Sequence, residues 1–402
     1  MKVIITAILI VLLFISPSHA ENIYIGEQAQ GYDSGTDCLN RHSVAWFNNA
    51  SNWGAVAGKI KAGDTIHLCG TINSPMIVNG SGMSGSPITI LWERDAKLSR
   101  PTWSSGTGFI TASNKSFIIL DGGTNGILEA TDNGTTAAFG GTKNYANDIY
   151  GIFFDNCISC EIRNLTIRGI YDRKAGSTDC IRAGKPIYWA GNLSGGAIHG
   201  NTVSDGFRCL FLPFTGTSTN GFNVYSNIIA NCSVAINPAP SSETGHSAKN
   251  ISIYSNTITG GNKWDGEFDS QCQAKGCSSS CLTDRWHHQD GIHAFAFSGS
   301  ITDGLKIFSN YLQDFGTHST AHIYIEGAGM TNTMIYNNVL VTTGDNYAAN
   351  GDVAIKAATG TKVYDNTFVG NNRGAAVLIH SGAQNSDIKN NIIMQEGATK
   401  RY

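Results

Sequence analysis

From about residue 62 onward, apolar and polar residues alternate in runs of four to six positions, separated by Gly-, Ser- and Asn-rich turns. Alternation of that length predicts short β-strands with one buried face. One phrase recurs: alternating apolar residues, an Asn, then another apolar pair. It reads AIHGNTV around Asn201, NVYSNII around Asn227, SIYSNTI around Asn256, KIFSNYL around Asn310, MIYNNVL around Asn338, KVYDNTF around Asn366 and DIKNNII around Asn391. The intervals are 26, 29, 54, 28, 28 and 25 residues, about 27 once the long one is set aside. A second strand accompanies the phrase, as in Val353-Ala354-Ile355-Lys356 and Val377-Leu378-Ile379-His380.

A strand this short cannot bury its apolar side alone. Equal strands at a fixed period do so by stacking, coil on coil. The pattern therefore predicts an all-β fold, a parallel β-solenoid with inward apolar columns and a ladder of Asn side chains at one turn. The stretch from Asp64 to Asn391 has room for about eleven coils, a rod of about 50 Å at ~4.8 Å per coil.

Two segments break the pattern. Residues 43–60, SVAWFNNASNWGAVAGKI, place Val44, Phe47, Val56 and Ile60 on one helical face. A short capping helix is expected there, within an N-terminal cap of residues 21–61. The 54-residue interval contains one clear repeat, and its surplus is assigned to a polar loop insertion at residues 261–286 with three cysteines and two tryptophans. The solenoid is read as residues 62–402. No C-terminal cap is evident, which points to truncation or to a partner over that end.

The first residues, MKVIITAILIVLLFISPSHA, combine a basic start, an apolar run of 13 and a small-x-small site at Ser18-His19-Ala20. A bilayer span takes about 20 residues. Residues 1–20 are therefore read as a secretory signal peptide, with the product secreted, periplasmic or at the cell surface and without a transmembrane segment. Charged residues are 14% and Gly is 47 of 402, which argues against bundles and coiled coils. A net charge of −3 offers no basic field to a nucleic acid, so that partner is excluded. A monomer is expected. Ten cysteines in an oxidising compartment allow disulfides without specifying their connectivity. Cys209 and Cys232 are expected on adjacent coils, near enough to bridge. Cys157-x-x-Cys160 lacks the βαβ context of a thioredoxin-like motif. Cys272, Cys277 and Cys281 read as loop staples ahead of a zinc site with His287 or His288.

The candidate chemistry is concentrated. Arg285-Trp286-His287-His288-Gln289-Asp290-Gly291-Ile292-His293 holds three of the 11 histidines, and His318 and His322 follow one coil later. Alternation points Ile292, Ala294 and Ala296 inward, leaving His293, Phe295 and Phe297 outward. It likewise points His322, Tyr324 and Glu326 outward, then Lys356 and His380. The expected columns are Phe297–Glu326–Lys356–His380, Phe295–Tyr324–Ala354–Leu378 and His293–His322, a face about 14 Å long. Aromatic faces with charges and imidazoles suit a carbohydrate. As a plain solvated face, Glu326 and Lys356 would form an ion pair worth under ~1 kcal/mol. The catalytic candidates are His287, His288, Asp290, His293, His318, His322 and Tyr324. The substrate-binding candidates are Arg285, Trp286, Phe295, Phe297, Glu326, Lys356 and His380.

Ala62-Gly63-Asp64-Thr65-Ile66-His67-Leu68, Gly85-Ser86-Pro87-Ile88-Thr89-Ile90, Phe117-Ile118-Ile119-Leu120-Asp121-Gly122 and Cys160-Glu161-Ile162-Arg163-Asn164-Leu165-Thr166-Ile167 resemble successive coils of known proteins. These are the right-handed parallel β-helix proteins of the pectate-lyase-like and polygalacturonase-like group, and the resemblance covers roughly residues 62–395. It implies a right-handed parallel β-helix acting on a polysaccharide, with calcium as a cofactor to test. Many substrates are served on this scaffold. Asp290-Gly291-Ile292 resembles part of the N-T-D-G-I-D motif of polygalacturonases, whose aspartate is catalytic, with His288-Gln289-Asp290 in the N-T-D place. The family's G-D-D motif falls near His318-Ser319-Thr320, which has no carboxylate, and its G-H-G and R-I-K motifs are missing. Asp205-Gly206 shows that Asp-Gly can also be a plain turn.

Glycoside hydrolysis needs two carboxyl groups about 5–9.5 Å apart. With His293 over His322, Asp290 lies three residues before that pair and Glu326 four after it, an offset of seven residues or about 23 Å along extended strands, so these two cannot be the pair unless a turn folds them together. β-Elimination in a uronate needs a base, and cationic or hydrogen-bonding groups on the carboxylate, which His, Tyr, Lys and Arg supply. The expected function is an exported enzyme cleaving an acidic polysaccharide by β-elimination. The alternatives are a non-catalytic carbohydrate-binding or surface structural protein, a glycoside hydrolase in which Asp284 partners Asp290, and a metal-dependent hydrolase using His287, His288, Asp290 and His318.

Overall fold

The computed structural model describes residues 20–101, 108–131, 149–170, 184–214, 218–240, 245–260, 289–297, 299–315, 319–343, 351–370 and 375–394. The segment read as a signal peptide, apart from Ala20, and residues 261–286, Cys180, Cys272, Cys277 and Cys281 lie outside the described residues.

Strands stack in parallel register into a β-helix with three rows. The first row is a fifteen-stranded sheet. Eleven successive rungs run along it from Thr65–Leu68 to Asp387–Lys389, the number expected from the period. Asn22–Gly26, inside the segment read as the cap, pairs with Thr65–Leu68 and adds a further rung. The other two rows belong to one nineteen-stranded sheet that turns a corner. Thr202–Phe214 and Ile228–Pro240 run through both rows, and the corner falls where Asp205 and Asn231 adopt positive φ of 56° and 54°. We call the row after that corner the site row.

The interior is a set of apolar columns. Ile187, Leu210, Ile236, Ile292, Ile323 and Val353 occupy successive rungs of the site row and are fully buried. Each such side chain contributes about 1.5–3 kcal/mol by leaving water. The repeated Asn forms the expected ladder. The side-chain amide of Asn201 donates to Asn227 Oδ1 at 3.0 Å, Asn227 to Asn256 at 3.0 Å and Asn256 to Asn310 at 2.9 Å. Asn256 and Asn310 are thus adjacent rungs, so the long interval is one coil carrying extra chain. Each ladder Asn follows a residue with φ between 54° and 65°, from Gly200 and Ser226 to Asn390. That left-handed turn costs a non-glycine residue roughly 1–2 kcal/mol, which the Asn hydrogen bonds offset.

The N-terminal helix is one short element, Val44–Asn48, with the Ser43 hydroxyl accepting from the Trp46 N–H. Val44 and Phe47 are buried as expected, but Val56 is exposed, because the chain leaves the helix at Asn49. Ile60 reaches the core through a bridge with Trp53 instead. Cys38–Cys69 ties this region to the first coils, and Cys209–Cys232 joins adjacent coils as expected, with Cα atoms 5.9 Å apart. Cys157 and Cys160 are bonded to each other and buried, which makes the C-x-x-C a turn staple. No helix among the described residues is long and apolar enough to cross a membrane.

Candidate active site on the site row

Strands Gln289–Phe295, Ser319–Glu326 and Val353–Lys356 are consecutive rungs of the site row. Ile292, Ala294 and Ala296 point into the core, as alternation predicts, and so do Ile323 and Ile325. The rung-to-rung register differs from the expected one. His293 lies over Tyr324, not over His322, and Phe295 lies over Glu326, not over Tyr324. The later pairings, Tyr324 over Ala354 and Glu326 over Lys356, are as expected. Phe297 therefore sits one step beyond the Glu326 column. The column through Glu326 reads Phe295–Glu326–Lys356, and His380, whose N–H donates to the Ile355 carbonyl, follows on the next rung.

This register assembles a connected polar chain. Asp290 Oδ2 is 3.4 Å from His293 Nδ1, and His293 Nε2 is 3.4 Å from Glu326 Oε2. Lys356 Nζ completes it at 2.8 Å from Glu326 Oε1. Asp290 is fully buried, with Oδ1 accepting the Ala321 N–H at 2.9 Å, so its carboxylate is fixed by backbone. The following Gly291 turns toward the core corner, where a Cβ would stand 2.7 Å from Leu312 and 2.6 Å from the His322 carbonyl oxygen. The Asn237 amide, one rung earlier, donates to the His293 carbonyl at 2.6 Å. The His293 ring stacks on Tyr324, with centroids 4.9 Å apart and planes 17° apart, and abuts Phe295. Ala321, Tyr324 and Ala354 form a small apolar cluster separate from the main core. Tyr324 is 4% exposed and His293 8%, whereas Phe297 is 51% exposed. The cluster therefore meets solvent on its Phe297 and Lys356 side.

Asp290 and Glu326 face the two nitrogens of one imidazole, so the 23 Å estimate fails. It assumed His293 over His322; with His293 over Tyr324 the offset along the strands is five residues, and the imidazole between the two side chains spans it. An imidazole and two 3.4 Å contacts bring the carboxylates to within roughly 9 Å of each other, inside the span carboxylate pairs use. The His293 imidazole, supported by Lys356, pulls the Glu326 carboxyl down to about 2, against burial that works the other way. Glu326 is thus an anion at any physiological pH. Burial first, and then the negative Glu326 and Asp290, push the Tyr324 phenol well above its ordinary range, so it keeps its proton.

His322 is not on this face. It turns into the corner of the coil, 1% exposed, with Nδ1 2.9 Å from the buried Asp352 and its ring edge-on to Phe315. Strict alternation fails there because the pairing shifts between Gln289 and Asp290. His287, His288, Arg285, Trp286 and His318 lie outside the described residues. Among the described residues no three His, Cys, Asp or Glu side chains converge as a metal ion would require, so no step is assigned to calcium. Asp352 and Asn237 were missed by sequence reasoning. Asn237 carried a legible signal, since it follows the inward Ile236 just as His293 follows Ile292.

No protein-family model matches the chain, and no curated protein sequence is significantly similar to it. Solved structures that it resembles include the GH136 lacto-N-biosidase from Eubacterium ramulus, at 11% identity and TM-score 0.49 over 94% of this chain and 68% of that one. The alginate lyase from Paenibacillus aligns at 13% identity and TM-score 0.46 over 90% of this chain and 99% of that one. DFA-IIIase from Arthrobacter chlorophenolicus, without its lid, aligns at 12% identity and TM-score 0.47 over 89% and 94%. All three are carbohydrate-active enzymes, and at these identities the likeness carries no argument about this chain's activity.

Proposed function

We propose that the protein is an enzyme that cleaves an acidic polysaccharide by β-elimination, with His293 and Tyr324 moving the protons. The observation that carries this reading is the chain Asp290–His293–Glu326–Lys356 with a protonated Tyr324 stacked against it. Asp290 holds Nδ1 of the imidazole; Nε2, which faces Glu326 at 3.4 Å, becomes the reactive edge when a bound substrate draws it away from that carboxylate. His293 takes the proton from the carbon beside the sugar carboxylate. The C–H electron pair becomes the new C=C bond, and the glycosidic C–O bond breaks with its pair going to oxygen. Tyr324 protonates that oxygen, and exchange with water resets both groups. Lys356, 47% exposed at its side chain, meets the sugar carboxylate. Phe295 and Phe297 offer ring faces at the open side.

A second reading, glycoside hydrolysis, has one observation in its favour: the two carboxylates flank a single imidazole. It also needs one of them protonated as the general acid, and a Glu326 held near 2 does not serve. Incubation with a panel of acidic and neutral polysaccharides separates these readings. A rise in both ultraviolet absorbance, from the unsaturated product, and reducing ends supports elimination. Reducing ends alone mean hydrolysis. Binding without either makes the protein a carbohydrate-binding one.

A further inference from the structure

The first rung of the β-helix begins on a buried carboxylate. Asn22–Gly26 pairs with Thr65–Leu68, Asn22 beside Thr65, and the residues just ahead of these strands are Glu21 and Asp64. The Glu21 backbone N–H donates to Asp64 Oδ1 at 2.8 Å, and the Lys61 backbone N–H donates to Asp64 Oδ2 at 2.8 Å. Lys61 Nζ lies 2.6 Å from Glu21 Oε1 and 3.4 Å from Asp64 Oδ1. Asp64 is fully buried and Lys61 nearly so, whereas the Glu21 side chain is 43% exposed. The turn that presents Asp64 is fixed on both sides. The Asp64 N–H donates to the Lys61 carbonyl at 3.2 Å, and the Asp64 carbonyl accepts the Thr89 N–H of the next rung at 3.0 Å.

The charges of this cluster do not balance. Glu21 and Asp64 are two carboxylates, and among the described residues Lys61 is the one cation paired with them. Burial works to lower the Lys61 pKa, but the two carboxylates outweigh it and hold the ammonium above its ordinary range. A buried carboxylate is costly unless an opposite charge faces it closely. On Oδ1 the shorter contact is the Glu21 nitrogen, not the Lys61 ammonium, and that nitrogen is neutral while it belongs to a peptide bond. The small-x-small site Ser18-His19-Ala20 ends at this same bond, and Ala20 is exposed. Hydrolysis there adds one water across the Ala20–Glu21 amide. Ala20 leaves as a carboxylate, and the Glu21 nitrogen takes both water protons and becomes an ammonium. The other titratable groups of the paired strands, Tyr24 and His67, lie three residues along. They stack on each other, and His67 bonds Glu93.

We propose that removal of residues 1–20 creates the missing charge: the Glu21 α-ammonium pairs with the buried Asp64 and locks the first rung onto the coil that follows it. This rests on reading residues 1–20 as a cleaved leader and is independent of the reaction assigned to the site row. The nitrogen needs no movement, since its 2.8 Å contact with Oδ1 already has the length of a charge-assisted hydrogen bond. The completed cluster holds two carboxylates and two ammonium groups. Processing thereby stabilises the fold: the cleaved chain gains an ion pair at a buried turn that the precursor lacks.

The test begins with mass mapping of the exported chain, which is expected to start at Glu21; any other first residue overturns the proposal. That chain is then compared, by thermal melting, with one that retains residues 16–20. The longer chain keeps the Glu21 N–H as an amide and carries its ammonium elsewhere. Near pH 6 the chain starting at Glu21 should melt at least about 2 °C higher. An ammonium paired with a carboxylate loses its proton later than a free one. Its stabilisation is therefore complete below the ordinary α-amino value of about 8 and is lost as the pH rises through the raised value of the folded chain. The difference should vanish by about pH 11. Asp64→Asn, which keeps the size and an acceptor, should abolish the difference near pH 6 when placed in both chains. If that variant does not fold, the pH dependence of the two wild-type chains decides alone. Equal melting at every pH, or a difference that persists unchanged to about pH 11, means that the ammonium adds nothing and overturns the proposal.

Discussion

The molecule carries two outward columns of aromatic rings, and they are built on different principles. On the fifteen-stranded sheet, His199, Tyr225, Tyr254, Phe308, Tyr336 and Tyr364 stack on consecutive rungs with centroids 4.4–5.1 Å apart and planes within 9°. Each face is covered by the next ring, so only edges reach solvent. Charges appear near the ends, as Arg163 and Glu161 beside His199 and Lys389 after Tyr364. On the site row, rung-to-rung stacks persist at Phe153–Tyr188 and His293–Tyr324, with planes 2° and 17° apart, but Tyr188–Phe211 is tilted by 60° and the same-strand neighbours Phe295–Phe297 and His293–Phe295 by 35° and 55°. There buried polar groups and cations interrupt the column. An exposed aromatic on a solenoid face therefore has two meanings. A uniform stack uses its π-faces on itself and acts as a spine. A broken, charged column leaves faces and polar groups for a ligand.

The largest expected effect that separates the two is on turnover. His293→Ala should cost about a thousandfold in kcat on the polysaccharide found active, in the range of a lost general base, and should also lower the melting temperature, since it leaves the buried Asp290 without its imidazole and removes the main partner of Glu326. Equal activity in wild type and variant would make the site row a second spine. The converse substitution is Tyr254→Ala, which removes contacts to Tyr225 at 5.0 Å and Phe308 at 4.9 Å. About 2 kcal/mol of stability should be lost in denaturant titration, with kcat unaffected.

A third experiment uses acid. Glu326 is held at about 2 against an ordinary 4.5, so its stabilisation is present above about 4.5 and lost as the pH falls toward 2. Glu326→Gln should melt a few degrees below wild type near pH 6, and the two should converge as the pH approaches 2. Tyr336→Leu, in the part of the stack away from its carboxylates, should shift the melting temperature equally at both ends of that range.

The spine was legible in the sequence to the rung, and the site was not. The stack and the Asn ladder share the turn phrase, so their register is fixed by an Asn that seven successive coils repeat. Around His293 the same alternation was read correctly for inward and outward, yet the pairing was placed two residues away. A slip of two preserves the face of every side chain, so period-two patterning is blind to it. The pairing is set by coil length instead, and although Asn310 fixes one turn of the coil between Gln289–Phe295 and Ser319–Glu326, no repeated residue fixes the corner that leads into Ser319–Glu326. His322 was misplaced for another reason. It sits at a corner, where Ala321, His322 and Ile323 are all buried and alternation has no meaning. The link from Asp290 through His293 to Glu326 was missed for the same two-residue slip, which made the offset between the carboxylates seven residues instead of five.

The smallest expected effect is at two lysines. Lys356 follows the rings of the site row and Lys389 follows those of the spine. Each makes one carboxylate contact, Lys356 to Glu326 at 2.8 Å and Lys389 to Asp387 at 3.0 Å. Both side chains are about half exposed, 47% and 56%, so neither pair contributes much to stability. What differs is the charge behind them. Glu326 is linked onward to His293, whereas Asp387 stands alone beside Lys389. Lys356→Ala should weaken an acidic oligosaccharide about three- to tenfold at low ionic strength. The loss should shrink toward nothing as salt brings the screening length to about 8 Å and below. It should also let Glu326 titrate higher, which moves the acid limb of any pH–rate profile upward. Lys389→Ala should change neither affinity nor profile at any salt. An equal, salt-dependent loss from both lysines would mean that the glycan responds to the protein's overall charge, and the distinction between spine and site would have no bearing on binding.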